Sequence, residues 1–431
     1  MPSGRRALLS NFCALQRVLA MSLLLCLLAT VLRAPFALCF LVNDISSSTP
    51  SFYAFGASMI DNGENKIAMP FRALSENVPY GSDFFSKSTG RWSNGRNLLD
   101  FMSAFSSFRA IIYLPYSASV VEGIGYSYLD PYLKSINGNF TNGVNFASSG
   151  STARNSTAEG DDSAGLFCLL VQVDQFREYQ ASMILNAKGL HEQMRVKKKF
   201  ADSIYFFETG SNDYSFNAFR TDDYNPTLEV NTTLTYMKRA LEVLYGLGAR
   251  TFVVMNVTPL GCAPSVLNSD VGNGTYDAYG CKADWQELVE LHNQRLTSLL
   301  EHLRNEHADA EWVLFDAHSI FLDAYHNPSK YGVVYPFKAC CGAGGRYNVN
   351  SSVLCGGSPM YVDGKYVQWT KCEDPTQYII WDTLHPMEWF AYYIAEGFLN
   401  GTHLSPSFNI LERVNAVKLS RTDYDFITSA G

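Results

Sequence analysis

The chain carries little charge, and its positive charge is nowhere concentrated. Of its 431 residues only 17% are charged, and the formal net charge at pH 7 is −8. No segment is rich in lysine and arginine, which argues against nucleic acid as a partner. The sequence also lacks a C-x-x-C pair and an H-E-x-x-H segment, so no zinc site is expected. Internal repeats and low-complexity linkers are absent, while 47% apolar residues are enough for one large core.

Long apolar runs are missing except near the N-terminus. Arg5, Arg6 and Arg17 precede a predominantly apolar run over residues 18–32, which is short for a membrane span. Small residues at 37–39 offer a cleavage site, so we predict a secretory signal peptide over residues 1–39. A retained signal anchor is the alternative. After removal of this segment, no stable membrane span is expected.

Secretion agrees with the glycosylation motifs and the cysteines. The N-x-[S/T] motifs begin at Asn139, Asn155, Asn231, Asn256, Asn273, Asn350 and Asn400. Of these, Asn256 lies in an apolar, strand-like run and is not expected to carry a glycan. Beyond the predicted signal the cysteines are Cys168, Cys262, Cys281, Cys340, Cys341, Cys355 and Cys372. Seven is an odd number, so we predict disulfides with Cys168, isolated in an apolar run, as the free thiol.

Short apolar runs alternate with helical patterns along the chain. The runs predict buried strands at Phe52–Phe55, Val144–Ala147, Ser203–Phe207, Thr251–Val257 and Trp312–Phe315. The helical patterns cover 234–247, 284–307 and 387–399. Strands that alternate with helices predict a parallel sheet with helices on both faces, an α/β fold. Residues 330–378 have little periodicity and are expected to form a long loop held by disulfides.

Polar turns follow three of the predicted strands. Ser58 comes after the first strand, "ASSGST" (147–152) after the second and "ETGSND" (208–213) after the third. In open α/β sheets the ligand lies at the carboxyl ends of the strands. These turns therefore predict a binding or catalytic site at one edge of the sheet.

An acyl-transfer site needs a base and an orienting acid beside a nucleophile such as Ser58. His385 in "WDTLHPME" follows Asp382 by three residues, so the carboxylate can reach one ring nitrogen. His318, two residues after Asp316, is a competing base. The remaining histidines are interpreted as surface or loop residues: His191, His292, His302, His307, His326 and His403.

An oxyanion needs N–H donors that already point at it. Gly150 can bring its backbone N–H close to a substrate because it has no side chain. Asn212 offers a side-chain amide after a strand. Either residue is also consistent with an ordinary role, as a turn glycine or a helix-capping asparagine. The chain has no G-x-S-x-G, so the nucleophile elbow of the α/β-hydrolases is absent.

Six ordered blocks resemble the plant GDSL esterase/lipases, which belong to the SGNH hydrolase superfamily. "FGASMIDNGEN" is similar to the opening F-G-D-S-x-x-D-x-G-N-N of that family. The other similar blocks are "PYGSDFFSKSTGRWSNGRNLLDF", "GVNFASSGST", "TGSNDY", "NVTPLGCAP" and "WDTLHP". The resemblance runs from about Phe52 to Leu399, so we expect a hydrolase domain over residues 50–400 and a tail over 401–431.

The resemblance implies a function and a role for each matching residue. Ser58 would be the nucleophile, His385 the base and Asp382 the acid that orients it. The Ser58 N–H, Gly150 and Asn212 would form the oxyanion hole. The implied fold is a three-layer α/β/α sandwich around a five-stranded parallel sheet, with no metal or organic cofactor. The implied enzyme is a secreted, extracellular esterase or lipase of the cell wall or apoplast, acting on small-molecule or polymer-linked esters.

Three positions depart from the family pattern. The Asp of G-D-S is Ala57, the usual Leu is Met59 and the first Asn of G-N-N is Glu64. The missing Asp is expected to help hold the nucleophile turn, so its loss predicts a displaced Ser58. Reacting groups must approach within roughly 3–3.5 Å, so a small displacement would lower the rate.

Two alternatives to hydrolysis remain open on the sequence. The same acyl-enzyme could pass its acyl group to an alcohol, or a catalytically weakened member could bind a glycan or lipid in the cleft. The family also has a cysteine-rich loop that fits "KACCG", Cys355 and Cys372. The disulfide pairing stays open, with Cys262–Cys281 as the first candidate.

Overall fold

The computed structural model describes residues 50–70, 73–104, 128–155 and 167–410. All of them lie within one compact unit of the chain, Thr49–Leu419. The five predicted strands are confirmed, with ends that shift by up to two residues. They are β1 (Phe52–Gly56), β2 (Gly143–Asn145), β3 (Ile204–Glu208), β4 (Thr251–Met255) and β5 (Glu311–Phe315).

The five strands form a parallel sheet in the order β5-β4-β3-β1-β2. A further short strand, Leu404–Ser405, pairs antiparallel with β5 at one edge. This pair lies just beyond residue 400, where the sequence predicts the domain to end. The central position of β1 and β3 brings the turns after these two strands next to each other.

Helices cover both faces of the sheet. Their bounds are α1 (Glu64–Ala68), α2 (Leu98–Ala104), α3 (Leu169–Asn186), α4 (Gly189–Asp202), α5 (Ser211–Asn217), α6 (Pro226–Gly246), α7 (Pro264–Leu267), α8 (Ala283–Glu306), α9 (Ala317–His326) and α10 (Glu388–Leu399). The helices predicted over 234–247, 284–307 and 387–399 correspond to α6, α8 and α10. Helix α6 begins eight residues earlier than predicted, at Pro226 after an Asn225 cap.

Alternate side chains of β1 enter different cores. Phe52 and Ala54 pack in the core that includes α2, α9 and α10, whereas Tyr53 and Phe55 pack in the core that includes α3, α4, α6 and α8. This alternation is the period of two that a strand buried on both faces requires. The predicted three-layer sandwich is therefore confirmed.

The cysteine-rich segment contains more structure than the predicted loop over residues 330–378. Five short strands lie in it: β6 (Tyr335–Ala339), β7 (Cys341–Gly342), β8 (Met360–Val362), β9 (Lys365–Val367) and β10 (Thr370–Lys371), followed by β11 (Tyr378–Ile380). The disulfides are Cys340–Cys372, Cys341–Cys355 and the expected Cys262–Cys281. Cys168 is free, as predicted.

His292 contradicts the interpretation of the helical histidines as surface residues. It is fully buried on α8, and its Nδ1 lies 2.6 Å from the hydroxyl of Tyr214 on α5. Burial lowers the pKa of His292 to about 3, so the ring is neutral. The buried pair therefore joins α8 to the helix that carries Asn212.

The predicted signal peptide over residues 1–39 lies outside the described residues, as does the tail beyond residue 410. Among the residues that the structure describes, no helix combines the length and apolar character that crossing a membrane would need.

Candidate active site

Ser58 lies in a tight turn where the chain leaves β1. The N–H groups of Ile60 and Asp61 both donate to the Ala57 carbonyl, at 3.3 and 3.0 Å. The Asp61 carboxylate accepts hydrogen bonds from the N–H and the hydroxyl of Ser149, at 2.8 and 2.6 Å. The turn after β1 is therefore fixed to the turn after β2.

His385 reaches Ser58 from the other end of the chain. Its Nε2 lies 2.7 Å from the Ser58 Oγ, and its Nδ1 lies 2.9 and 2.8 Å from the two carboxylate oxygens of Asp382. Asp382 and His385 belong to a turn after β11, which the Trp381 N–H closes by donating to the His385 carbonyl at 2.7 Å. The structure thus brings together the serine, histidine and aspartate that the sequence selects.

Asp382 has an environment that keeps it ionised. Burial acts to raise the pKa of this carboxyl, but the adjacent His385 and the N–H groups of Leu384 and His385 outweigh it and lower the pKa below its usual value. The Tyr80 hydroxyl donates to the same carboxylate at 2.8 Å. An ionised acid at Nδ1 fixes the His385 tautomer, so that Nε2 has the lone pair facing Ser58.

Gly150 and Asn212 lie with Ser58 and His385 on the wall of one cleft. Gly150 has a φ of 77°, which glycine adopts without strain. The Asn212 Nδ2 donates one hydrogen to the Ser151 carbonyl at 2.8 Å, and this bond orients the amide. The second hydrogen of Nδ2 remains available for another acceptor. The predicted oxyanion donors and the serine are therefore neighbours in space.

The cleft has a volume of about 650 Å³ and is mostly apolar. Trp92 forms part of its wall and packs against the His385 ring, with 5.0 Å between the ring centroids. Other apolar lining residues include Met69, Leu74, Phe216, Val266, Val271 and Leu384. An apolar cleft beside a hydroxyl–imidazole pair suits the apolar part of a small molecule.

The competing histidine lies elsewhere. The N–H of His318 donates to the Asn256 side chain at 2.8 Å, and its Nδ1 lies 3.0 Å from the Val257 carbonyl. The Asn256 amide donates to Asp316 at 2.7 Å. These contacts explain His318 and Asp316 as parts of the connection between the loop after β4 and α9.

Ala57 does not displace Ser58. The expected consequence of losing the family aspartate was a repositioned nucleophile turn, yet the Ser58 Oγ is within hydrogen-bond distance of His385. Beneath this turn lies the carboxyl group of Glu208, the last residue of β3. Burial raises the pKa of Glu208 to about 8, although the N–H groups of Ala57 and Met59 act in the opposite direction.

Sequence reasoning missed two polar contacts of this site. Tyr80 belongs to the "PYG" block that resembles the family, so its motif was visible although its partner Asp382 was not. Glu208 precedes the "TGSNDY" block by one residue and carries no spacing signal toward Ser58. Both contacts join segments that are far apart in the chain, which only the fold reveals.

A three-layer α/β/α sandwich with serine, histidine and aspartate joined at its carboxyl edge is the arrangement of a serine hydrolase. A comparison with protein families agrees, since the model described as GDSL-like Lipase/Acylhydrolase matches residues 52–398. The chain belongs to this family and is a carboxylic ester hydrolase. The resemblance read from the six blocks is thereby confirmed.

Curated relatives have similar lengths and carry esterase names. The GDSL esterase/lipase ENOD8 of Medicago truncatula is 33% identical over 371 residues, which cover 84% of this chain and 88% of the relative. A GDSL esterase/lipase of Arabidopsis thaliana is 30% identical, covering 85% of this chain and 91% of its own. A Hevea brasiliensis protein named "Esterase" is 30% identical, and the match covers 87% of this chain and 92% of that protein.

Proposed function

We propose that this chain is a secreted serine esterase that hydrolyses carboxylic esters through an acyl-enzyme. The Ser58 Oγ attacks the ester carbonyl, while His385 Nε2 accepts the hydroxyl proton. Asp382 orients His385 and stabilises the imidazolium that forms. The observation that carries this proposal is the series of contacts from Ser58 through His385 to Asp382, at 2.7 and 2.8 Å.

The developing negative charge on the carbonyl oxygen needs donors. We assign this task to the Ser58 N–H, the Gly150 N–H and the Asn212 amide. The Ser58 N–H donates to no other group within the described part of the chain. As the tetrahedral intermediate collapses, His385 returns its proton to the departing alcohol, and water repeats the sequence on the acyl-enzyme.

The cleft supports a substrate class. Because its wall beside Ser58 is mostly apolar, we expect esters with an apolar acyl group to be preferred over acetate esters. The ester is a small molecule or is linked to a polymer that reaches the cleft from outside. No step in this mechanism requires a metal or an organic cofactor.

Secretion and glycosylation complete the proposal. Three disulfides fit an oxidising compartment, and we infer the cell wall or apoplast from the family. Asn256 is buried and bonded through its side chain, so it is expected to stay unmodified. Exposed side chains that can carry N-linked glycans are Asn139, Asn155, Asn231, Asn273 and Asn400.

The test replaces the nucleophile. Ser58→Ala should lower kcat toward p-nitrophenyl esters by about 10⁴-fold or more, whereas Ser298→Ala, an exposed serine on α8, should leave it unchanged. A fluorophosphonate should label the wild-type chain at Ser58. Undiminished hydrolysis by Ser58→Ala would refute the mechanism.

Product analysis separates hydrolysis from acyl transfer. With a candidate alcohol present, a transferase yields the new ester, and the proposed esterase yields only the free acid. Absence of both labelling and turnover on a panel of acyl chain lengths would favour a catalytically weakened binding protein instead.

A further inference from the structure

A buried carboxyl group lies directly beneath the turn that carries Ser58. Glu208 ends β3, where it pairs with Gly56 at the end of β1, and only 4% of it is exposed. Its Oε2 accepts a hydrogen bond from the Ala57 N–H at 3.1 Å, and its backbone carbonyl accepts from the same N–H at 3.0 Å. The Met59 N–H also acts to lower the pKa of this carboxyl.

These bonds divide the amides of the turn into two kinds. The Ala57 N–H donates to Glu208 and the Met59 N–H acts to lower the pKa of its carboxyl, whereas the N–H of Ser58 itself donates to no group among the described residues. The Ser58 N–H shares a rigid peptide plane with the Ala57 carbonyl, which accepts hydrogen bonds from the Ile60 and Asp61 N–H groups, so this N–H cannot rotate freely. The arrangement therefore fixes the direction of the one amide that the proposed oxyanion hole takes from this turn.

Close approach of two strand ends makes the contact possible. A Cβ atom built on Gly56 would lie 2.1 Å from the Glu208 carbonyl oxygen, so any side chain at residue 56 would push the strands apart. With glycine there, the Glu208 side chain reaches past β1 into the base of the turn. The side chain of Ala57 contributes only a buried methyl group and no hydrogen-bond acceptor.

We propose that Glu208 is a positioning residue for the nucleophile turn, and that it supplies the carboxyl acceptor which Ala57 lacks. This inference rests on the proposed role of Ser58. Glu208 touches neither substrate nor the Ser58 hydroxyl and acts only through the amides of Ala57 and Met59. Its effect should therefore appear in the chemical step and not in substrate binding.

The experiment compares Glu208→Ala, Glu208→Gln and wild type. Glu208→Ala removes the carboxyl acceptor but leaves the backbone carbonyl, and it should lower kcat roughly 30- to 100-fold, since a misplacement near 1 Å costs about that much, with KM within about twofold. The rate of fluorophosphonate labelling should fall by the same factor. Glu208→Gln retains a carbonyl acceptor and should keep kcat within about fivefold of wild type.

Glu64 provides a matched control. Its carboxyl is buried, its pKa is raised by burial to about 8, and it accepts the Leu133 N–H at 3.0 Å but no N–H of residues 57–59 among the described hydrogen bonds. Glu64→Ala should lower the melting temperature as Glu208→Ala does but leave kcat within about threefold.

Each outcome decides between the two proposals. Equal kcat for wild type and Glu208→Ala, or equal kcat losses in the Glu64 and Glu208 alanine variants, would overturn the positioning role. If Glu208→Ala does not fold, a Glu208→Gln variant with less than one-thirtieth of the wild-type kcat would also contradict it. Retention of activity by Ser58→Ala would instead refute the proposed function.

Discussion

Asp382 accepts more hydrogen bonds than its proposed role as the acid that orients His385 requires. Besides His385 it accepts the backbone N–H groups of Leu384 and His385, both at 3.0 Å, and the Tyr80 hydroxyl. These donors orient the carboxylate before substrate arrives, so little reorganisation is left for the reaction. The acid should therefore matter through geometry and tautomer as much as through its charge.

We expect Asp382→Asn to lower kcat by about 10⁴-fold with a small change in KM. The asparagine NH2 group is a donor and cannot accept a hydrogen bond from Nδ1–H. It therefore favours the His385 tautomer with the proton on Nε2, which cannot take the Ser58 proton. Steady-state hydrolysis of a p-nitrophenyl ester measures the effect.

Asp316→Asn is the matched control, because Asp316 lies near His318, the competing histidine of the sequence. We expect a change in kcat of less than about threefold. An equal loss in both variants would mean that this assignment of the acid is wrong.

The sequence predicts the main residues of the site but not their support. The D-x-x-H spacing identifies Asp382 and His385 because both lie in one turn. The contacts of Tyr80 and Glu208 stay hidden because their partners are 302 and 151 positions away along the chain. The prediction that His292 lies at the surface is wrong. It rests on the polar ring, although the spacing of four residues from both Leu288 and Leu296 matches the buried stripe of α8.

At the scale of elements, the segment between β4 and α8 forms one wall of the cleft. The Cys262–Cys281 disulfide closes this segment near both of its ends, and Val266, Ser269 and Val271 within it line the cleft. The covalent link therefore constrains a part of the cleft wall in which the four-residue α7 is the only described α-helix.

Replacing both Cys262 and Cys281 by alanine should lower the free energy of unfolding by about 3 kcal/mol, because the open chain gains conformational entropy. The KM should rise at the same time, since the cleft wall loosens. Urea denaturation and ester hydrolysis measure the two effects.

Cys168→Ala removes the free thiol and serves as the control. It should change stability by less than about 1 kcal/mol and leave KM unaltered. A double variant as stable as wild type would show that the disulfide does not hold this wall.

Sequence patterns predict the long elements of this fold better than its short ones. The strands β1 to β5 are apolar runs with strong local signals, and all five are found within two residues of the expected ends. The pairs β6–β11 and β7–β10 join segments roughly 30 to 40 positions apart, with strands of two to five residues. Such strands are too short to show a periodic pattern, so the sequence predicts a loop in this segment.

At the scale of the whole molecule, buried acids make stability depend on pH. Burial raises the pKa of Glu64 and of Glu208 to about 8 from an ordinary value of 4.5. Between these values the unfolded chain has lost both protons while the folded chain retains them. Stability then falls as pH rises, by about 1.4 kcal/mol per pH unit for each such proton.

We expect the free energy of unfolding to decrease from pH 6.5 to pH 8. His292 has a pKa of about 3 in the folded chain and opposes this trend only below about pH 6.5, where an exposed histidine starts to bind a proton. Denaturation by urea at half-unit pH steps gives the slope.

Glu64→Gln should remove about half of that slope, and the exposed Glu192→Gln should not alter it. A flat profile between pH 6.5 and 8 in wild type would contradict protonation of these buried carboxyls.

The hydroxyl and the imidazole of the proposed mechanism are separated by 327 positions along the chain. A ribosome reaches the codon for His385 only after nearly all of the sheet has been translated. The nascent chain thus contains the serine without its proposed base until residue 385 has been added, so on the proposed roles a premature stop codon before 385 yields an inert product.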